Sequence, residues 1–447
     1  MPAMLKTNVV TESALGHRGG LLGVALTIPL AGGIGLGLSS LLYFLLLVLG
    51  GQSLPGLPLL VLILPMAVLG VAIGKSADDL TPSQAPYHLP VWLALSCVVT
   101  LVCALTAFAV LSLIEPRGHW DAWMIWNLRA TQIFRGGEYW RDAFQAPIHP
   151  DYPWLLPALV ALGWRTTGSE MTVVPVFVAA FFTFATVLVL HSALALWRSA
   201  TQAALASVVL LGTIVFVIEG PKQYADVPLG FFFLTTLALL TRYEAGRRDR
   251  SLLVLAGMTT GLATWTKNEG LLFALAVIAT RAILVTWRTG VRSYLREALY
   301  FAIGLLPILV CFVYFKVVFA PPSLVAAQGT QATLAKLQTP ARYFVVAKAF
   351  KDAFVEWSGN NVLAPFWALG VYAICVGFRE QVGRNLGVVT VAVVLGVMLT
   401  GYSLAYLTTP YKLELQINSS LDRLLLQLWP SALFGYFWVT RTPENSA

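Results

Sequence analysis

Charge is what this chain has least of. Only 11% of its 447 residues are Asp, Glu, Lys or Arg, where a soluble domain averages about 25%. With 58% of its residues hydrophobic, it carries more apolar surface than a soluble fold of this length hides. Cysteine is nearly absent. Cys97, Cys103, Cys311 and Cys375 all sit in apolar stretches without CxxC spacing, so they read as packing residues and leave the redox compartment open. There is no GxxxxGK[ST] and no HExxH, which removes a P-loop and a zincin motif. No low-complexity linker divides the chain, and no internal repeat of the kind built into many secondary transporters is visible. These absences leave one integral membrane domain over 1–447.

What the chain has instead is long apolar runs. A helix needs roughly 20 apolar residues to cross the hydrocarbon. Hydropathy places about twelve such spans, near 21–48, 54–74, 89–114, 171–196, 201–218, 226–241, 251–266, 270–287, 298–319, 361–378, 386–407 and 421–440. The expected fold is an all-α polytopic membrane protein. The first run is too long for a signal-peptide core and lacks a cleavage site after a short one, so the N-terminus reads as retained. The piece Trp154–Trp164 is too short to span and reads as re-entrant or interfacial.

Arg and Lys in the short loops set the orientation. Arg242, Arg247, Arg248 and Arg250, then Arg288, Arg292 and Arg296, fall on one side, with Lys6, Arg18, Lys75, Arg198, Arg379, Arg384 and Arg441. That side carries roughly +7 of the total +8 and is expected to be cytoplasmic, with both termini. The basic excess is topological, and no nucleic-acid partner is expected. The other side holds two long segments, 115–170 and 320–360, and about thirteen of the twenty-one acids. Linking helices needs far less chain, so these loops are expected to carry function.

Segment 115–170 opens Glu115-Pro-Arg-Gly-His-Trp-Asp121-Ala-Trp-Met-Ile-Trp-Asn-Leu-Arg129. Pro116 and Gly118 end the preceding helix. Asp121 is placed to start the next, as a cap or first-turn acid. Trp123, Trp126, Ala130 and Ile133 then follow at helical spacing, with Arg129 and Arg135 off that stripe. This predicts a helix lying flat at the membrane interface. Three prolines in His149-Pro-Asp151-Tyr152-Pro153-Trp154-Leu-Leu-Pro157 fix a rigid non-helical path; a plain turn is the bland alternative. Two short turns add charge: Glu219-Gly-Pro-Lys222-Gln-Tyr224-Ala-Asp226-Val-Pro228, and Thr266-Lys267-Asn268-Glu269-Gly270. Charges at hydrocarbon level are costly and point to a site, unless they are hairpin turns wetted at the interface. Asp422-Arg423 opens the last span from the same side, as a functional pair or a simple ion pair. Asn418-Ser-Ser420 fits a glycosylation sequon, a motif short enough to arise by chance.

This layout resembles the GT-C glycosyltransferases, in particular the dolichyl-phosphate-mannose protein mannosyltransferase-like group (glycosyltransferase family 39 and its bacterial relatives). The matching pieces are Asp121, His149-Pro-Asp-Tyr-Pro153, Tyr224-Ala-Asp226-Val-Pro-Leu229, Thr266-Lys-Asn-Glu-Gly270 and Ser420-Leu-Asp-Arg-Leu424. They cover roughly 90 to 440, so 89–440 reads as the core and 1–88 as an added N-terminal hairpin. The family often has a second acid directly after the first; here Ala122 follows Asp121. The resemblance implies transfer of a hexose or pentose from a polyprenyl-phosphate carrier to a lipid, glycan or protein acceptor, on the extracytoplasmic face of a bacterial inner or plasma membrane. Asp121 would be the general base, with Asp151 and Asp226 next in line. His149, Tyr152, Lys222, Tyr224, Lys267, Glu269 and Arg423 would bind substrate, with Lys267 and Arg423 on the donor phosphate. Neither a cofactor nor a metal is expected; His149 and Asp151 alone are two ligands, too few for a site.

The alternative is a transporter or lipid flippase. That would need ionisable residues deep in the spans. The candidates His191, Arg281 and Lys316 lie toward helix ends, where they can snorkel. A glycan ligase would show a single late catalytic loop, and a non-catalytic scaffold would not need the acids gathered on one face.

Overall fold

The computed structural model describes residues 4–50, 57–75, 89–145, 148–246, 248–323, 327–357, 365–380, 383 and 385–442, with side chains from Leu22 onward except at 66, 67 and 71–75. Among them the chain is helical, without strands. The order is α1 (Met4–Val48), α2 (Leu57–Lys75), α3 (Val91–Ile114), a π-helical turn (Ala122–Trp126), α4 (Asn127–Gly136), a 3-10 stretch (Gly137–Gln145), α5 (Leu155–Thr167), α6 (Val173–Trp197), α7 (Ala200–Gly212), α8 (Ile214–Glu219), α9 (Asp226–Ala245), α10 (Arg250–Thr266), α11 (Glu269–Thr289), α12 (Val291–Val318), α13 (Thr330–Leu337), α14 (Pro340–Glu356), α15 (Pro365–Val376), α16 (Leu386–Thr408) and α17 (Leu413–Val439). Among the described residues six helices are long and apolar enough to cross a bilayer: α1 from Leu22, α3, α6, α11, α12 and α16.

The centre of the bundle is α9. Its sequence, DVPLGFFFLTTLALLTRYEA, is apolar on every side, which marks a helix with no free face. It packs against α10, α17, α6 and α16. Gly230 permits one close approach, because a Cβ there would lie 3.2 Å from the backbone carbonyl oxygen of Gln427 in α17. The polar groups of these helices turn inward. Thr235 and Thr241 bond back to their own helix, while the hydroxyl of Thr236 meets that of Thr259 at 2.8 Å.

Aromatic packing fastens the first long loop to the bundle. Phe44 of α1 touches Trp140, Trp154, Trp265, Phe315 and Phe319, and Trp154 stacks on Phe144 at 4.4 Å. The Ser40 hydroxyl donates to the Leu155 carbonyl at 2.9 Å and accepts from the Trp265 indole at 3.1 Å. Such pairs contribute about 0.5–1.5 kcal/mol each beyond area burial. They make α1 a wall of the loop's seat.

Several sequence expectations change here. The span read over 201–218 is two helices, broken at Thr213, whose extended backbone interrupts the helix. The span read from 298 begins at Val291. Asp422 and Arg423 do not open the last helix; they lie inside α17, which starts at Leu413. The parts of two spans at 54–56 and 361–364 lie outside the described residues. Arg129, expected to point away from the packed stripe, is fully buried, while Trp123 is half exposed. The helix is pinned by α5 and the 3-10 stretch, and Arg129 lies on the same face as Trp126, Ala130 and Ile133, which are buried with it. Arg281 does not snorkel either. It is buried between Glu244 and Glu297, with 2.5 Å contacts that tie α11 to α9 and α12. His191 bonds to Ser207 at 3.0 Å.

Candidate functional site

At one end of the bundle the first residue of α9 anchors a charge network. Asp226 is 2% exposed. A carboxylate in a helix's first turn is favoured by the dipole, but its burial demands partners. It has three. The Lys267 ammonium lies at 2.9 Å, the Gln427 amide donates at 2.6 Å, and Arg423 approaches to 3.8 Å. These come from α9, α10 and α17, so the carboxylate ties three helices at one point.

Lys267 sits where α10 ends and α11 begins, and also holds Glu269 at 3.0 Å. Burial opposes its charge, but Asp226 and Glu269 outweigh that and raise its pKa above the usual lysine value. Its ammonium lies 5.9 Å from the centre of the Tyr152 ring, within cation–π range.

Arg423 links this core to the first loop. Its guanidinium bonds the Asp121 carboxylate and lies 5.0 Å over the Tyr224 ring. The Tyr224 hydroxyl accepts from the Asp121 backbone N–H at 3.2 Å and meets His119 Nδ1 at 2.8 Å. Burial raises the Tyr224 pKa well above the usual phenol value, so the group stays protonated. Asp121 does not cap the following turn: it has helical dihedrals and no side-chain capping bond.

The His149–Pro153 segment forms the facing wall. His149 has φ 47°, a left-handed conformation that a residue with a Cβ adopts at a cost. Buried Arg129 holds it there, donating to the carbonyls of Ile148 and His149. Burial lowers the Arg129 pKa to about 10, which leaves it charged at neutral pH. Asp151 accepts from Asn268 at 2.7 Å, and Lys316 of α12 lies 3.6 Å from its carboxylate. Lys316 also bonds the Asp151 carbonyl and the Asn268 side-chain oxygen. It therefore joins two loops, where the sequence suggested only a snorkelling residue. Trp126, Tyr152 and His149 stack in sequence, with centroid distances of 5.6 and 4.4 Å. Burial, then the Lys267 charge, hold the His149 imidazole below its usual pKa. Burial raises that of Tyr152.

These groups surround a cavity of about 350 Å³. Asp121, Asp151, Asp226, His149, Tyr152, Lys267, Glu269 and Arg423 all line it; Tyr224 supports it from behind Arg423. Lys222 is elsewhere, paired with Glu219 at 2.7 Å. One further part of the wall is Leu272, Gly401, Tyr402, Ala405 and Tyr406, a mostly apolar face between α11 and α16; Gln416, Ser420 and Tyr411 add polar groups elsewhere. Segment 320–357 sets its edge. Gln328 and Lys336 donate to the carbonyls of Thr408 and Thr409 at 2.8 Å, and Arg342 donates to those of Tyr406 and Leu407 at 2.9 Å. Bonds from side-chain donors satisfy the last carbonyls of α16, which its own helix leaves open.

The sequence reading does not propose Gln427, Lys316, Asn268 or Arg129 as site residues, although it meets the last three in other roles. Gln427 was the most findable: it stands four residues after Arg423, on the same face of a helix. Among the described residues no group of three His, Cys, Asp or Glu side chains is arranged to hold a metal ion. The cavity's acids are instead matched with Lys, Arg and amide donors.

Residues 170–321 match the family model of dolichyl-phosphate-mannose-protein mannosyltransferases, a family of the GT-C superfamily. The match runs from α6 to the end of α12. It takes in Tyr224, Asp226, Lys267, Asn268, Glu269 and Lys316, and leaves out Asp121, Asp151 and Arg423. No curated protein and no solved structure matches the chain. The family match and the long apolar helices fit a membrane glycosyltransferase.

Proposed function

We propose that this chain transfers a sugar from a polyprenyl-phosphate carrier to an acceptor at the extracytoplasmic surface of a membrane, as a protein of about twelve spans. The observation that carries the reading is one cavity in which a partly exposed carboxylate, Asp121, stands beside two cations, Arg423 and Lys267, with an apolar face on one side. Each part has a task. The apolar face of Leu272, Gly401 and Ala405 suits the first isoprene units. Arg423 and Lys267 suit the phosphate, whose charge grows as it leaves. Asp121 suits the acceptor's proton.

The step balances as follows. An acceptor O–H attacks the anomeric carbon and its proton passes to Asp121. The bond from the anomeric carbon to the phosphate oxygen breaks, and the electron pair leaves with the polyprenyl phosphate. Asp226 is unsuited to the proton transfer, because it is buried and bonded by Lys267 and Gln427; its work is to fix those cations. Asp151 is likewise engaged, by Asn268 and Lys316. The test is transfer of labelled sugar from a polyprenyl-phosphate donor by purified protein. Sugar release or transfer that requires the cavity residues supports the reading. Transport of an uncleaved lipid by the same protein in vesicles would replace it.

A further inference from the structure

Both cations of the cavity are already paired before any substrate enters. Three carboxylates, Asp121, Asp226 and Glu269, share two cations, Arg423 and Lys267. A donor phosphate brings a further negative charge to the same two cations. In a half-buried cavity four anions around two cations are strongly unfavourable, so one carboxylate has to give way.

The geometry decides which. Asp226 is buried and held by Lys267 and Gln427. Glu269 begins α11, next to the lysine it holds. Asp121 is the loosest: its side chain is 25% exposed and its bonded partner is Arg423. Two unusual backbone features flank it. Gly118, at φ 75°, lies three residues before it, and the π turn Ala122–Trp126 follows directly. A π turn carries one residue more than an α turn and is frequent at functional sites.

We propose that Asp121 is the placeholder on Arg423, and that the donor's phosphate displaces it. The base is then unavailable while Arg423 holds it, and is freed when the donor binds. Binding becomes ordered, with donor before acceptor, and an acceptor or water entering an empty site meets an occupied carboxylate. This rests on the donor-site reading above and adds its regulation.

The consequence is a gain where a loss is the usual expectation. Asp121→Asn removes the competitor for Arg423, so it should bind the anion more tightly, by about tenfold if one charge-assisted contact no longer has to be broken. The probe is undecaprenyl phosphate, titrated in detergent against wild type, Asp121→Asn, Arg423→Gln and the double variant. The expected pattern is tighter binding in Asp121→Asn, and no gain from that change in the Arg423→Gln background. Unchanged or weaker binding in Asp121→Asn overturns the displacement, while a donor site that binds in wild type still stands. An equal gain in the Arg423→Gln background also overturns it, because the effect would then be general repulsion and not release of that pair. Absence of binding in all four proteins overturns the donor site and the displacement together.

Discussion

The ammonium of Lys316 donates to the carbonyl of Asp151 and to the side-chain oxygen of Asn268, joining the loop after the 3-10 stretch to the turn between α10 and α11. Those two loops carry Asp151, His149, Lys267 and Glu269, so their spacing sets the width of the cavity. Lys316→Met leaves the methylene stem and removes the tie. Turnover should fall about ten- to a hundredfold, the scale of losing contacts that hold a reacting geometry, with partial recovery in Lys316→Arg. Steady-state kinetics of the three proteins checks it; identical kcat values would make the contact dispensable.

Lys267 and Asp226 form a buried pair at 2.9 Å. Removing one partner strands a buried charge, at about 3–5 kcal/mol. Lys267→Met should therefore lower the thermal midpoint sharply. Lys267→Met with Asp226→Asn should regain much of that stability but not donor binding, which should stay about tenfold or more weaker for want of a charged contact. Thermal melts and lipid-phosphate titrations on the two variants separate the effects. Donor binding restored in the double variant would remove Lys267 from the phosphate site.

His149 gives a pH signature. Burial, then Lys267, hold its folded-state pKa below the unfolded value, which is about 6.5. The unfolded chain takes up the proton first, so stability is lost as pH falls from about 6.5 through the folded pKa. The thermal midpoint should drop more in wild type than in His149→Gln between about pH 7.5 and 5. Parallel curves would mean that the imidazole is as free to protonate in the folded protein as outside it.

Sidedness has a direct check. In a cysteine-free background, Tyr139→Cys and Phe344→Cys place thiols at exposed positions of the two long segments. Both should react with an impermeant thiol reagent on intact cells, because the proposed topology puts the Arg-rich short loops on the other side. Labelling of one alone would break the proposed topology.

Much of this was legible in the chain. Asp121, Asp226, Lys267, Glu269 and Arg423 stood out because charge at the edge of an apolar run needs a reason, and the cavity gathers all five. What sequence could not supply was pairing. Asp121 meets Arg423 across 302 residues and Asp226 meets Gln427 across 201, and hydropathy carries no register between helices. Lys222 reads as a weaker candidate than Lys267, and its turn pairs it with Glu219. Arg129 reads as off the packed stripe, but it stands three residues after Trp126 and four before Ile133, on the same helix face, and is buried with them. The break at Thr213 was invisible because both halves of 201–218 are apolar.

The central claim is that Asp121 takes the acceptor's proton during sugar transfer, and one measurement bears on it most directly. Asp121→Asn keeps the size of the side chain and a hydrogen-bonding oxygen for Arg423. Transfer from a radiolabelled polyprenyl-phosphate sugar should fall at least about a hundredfold, the lower end of what general-base catalysis supplies, in a variant that still binds the donor at least as tightly as wild type. Transfer at close to the wild-type rate would contradict the account and leave Asp121 as no more than a counter-ion for Arg423.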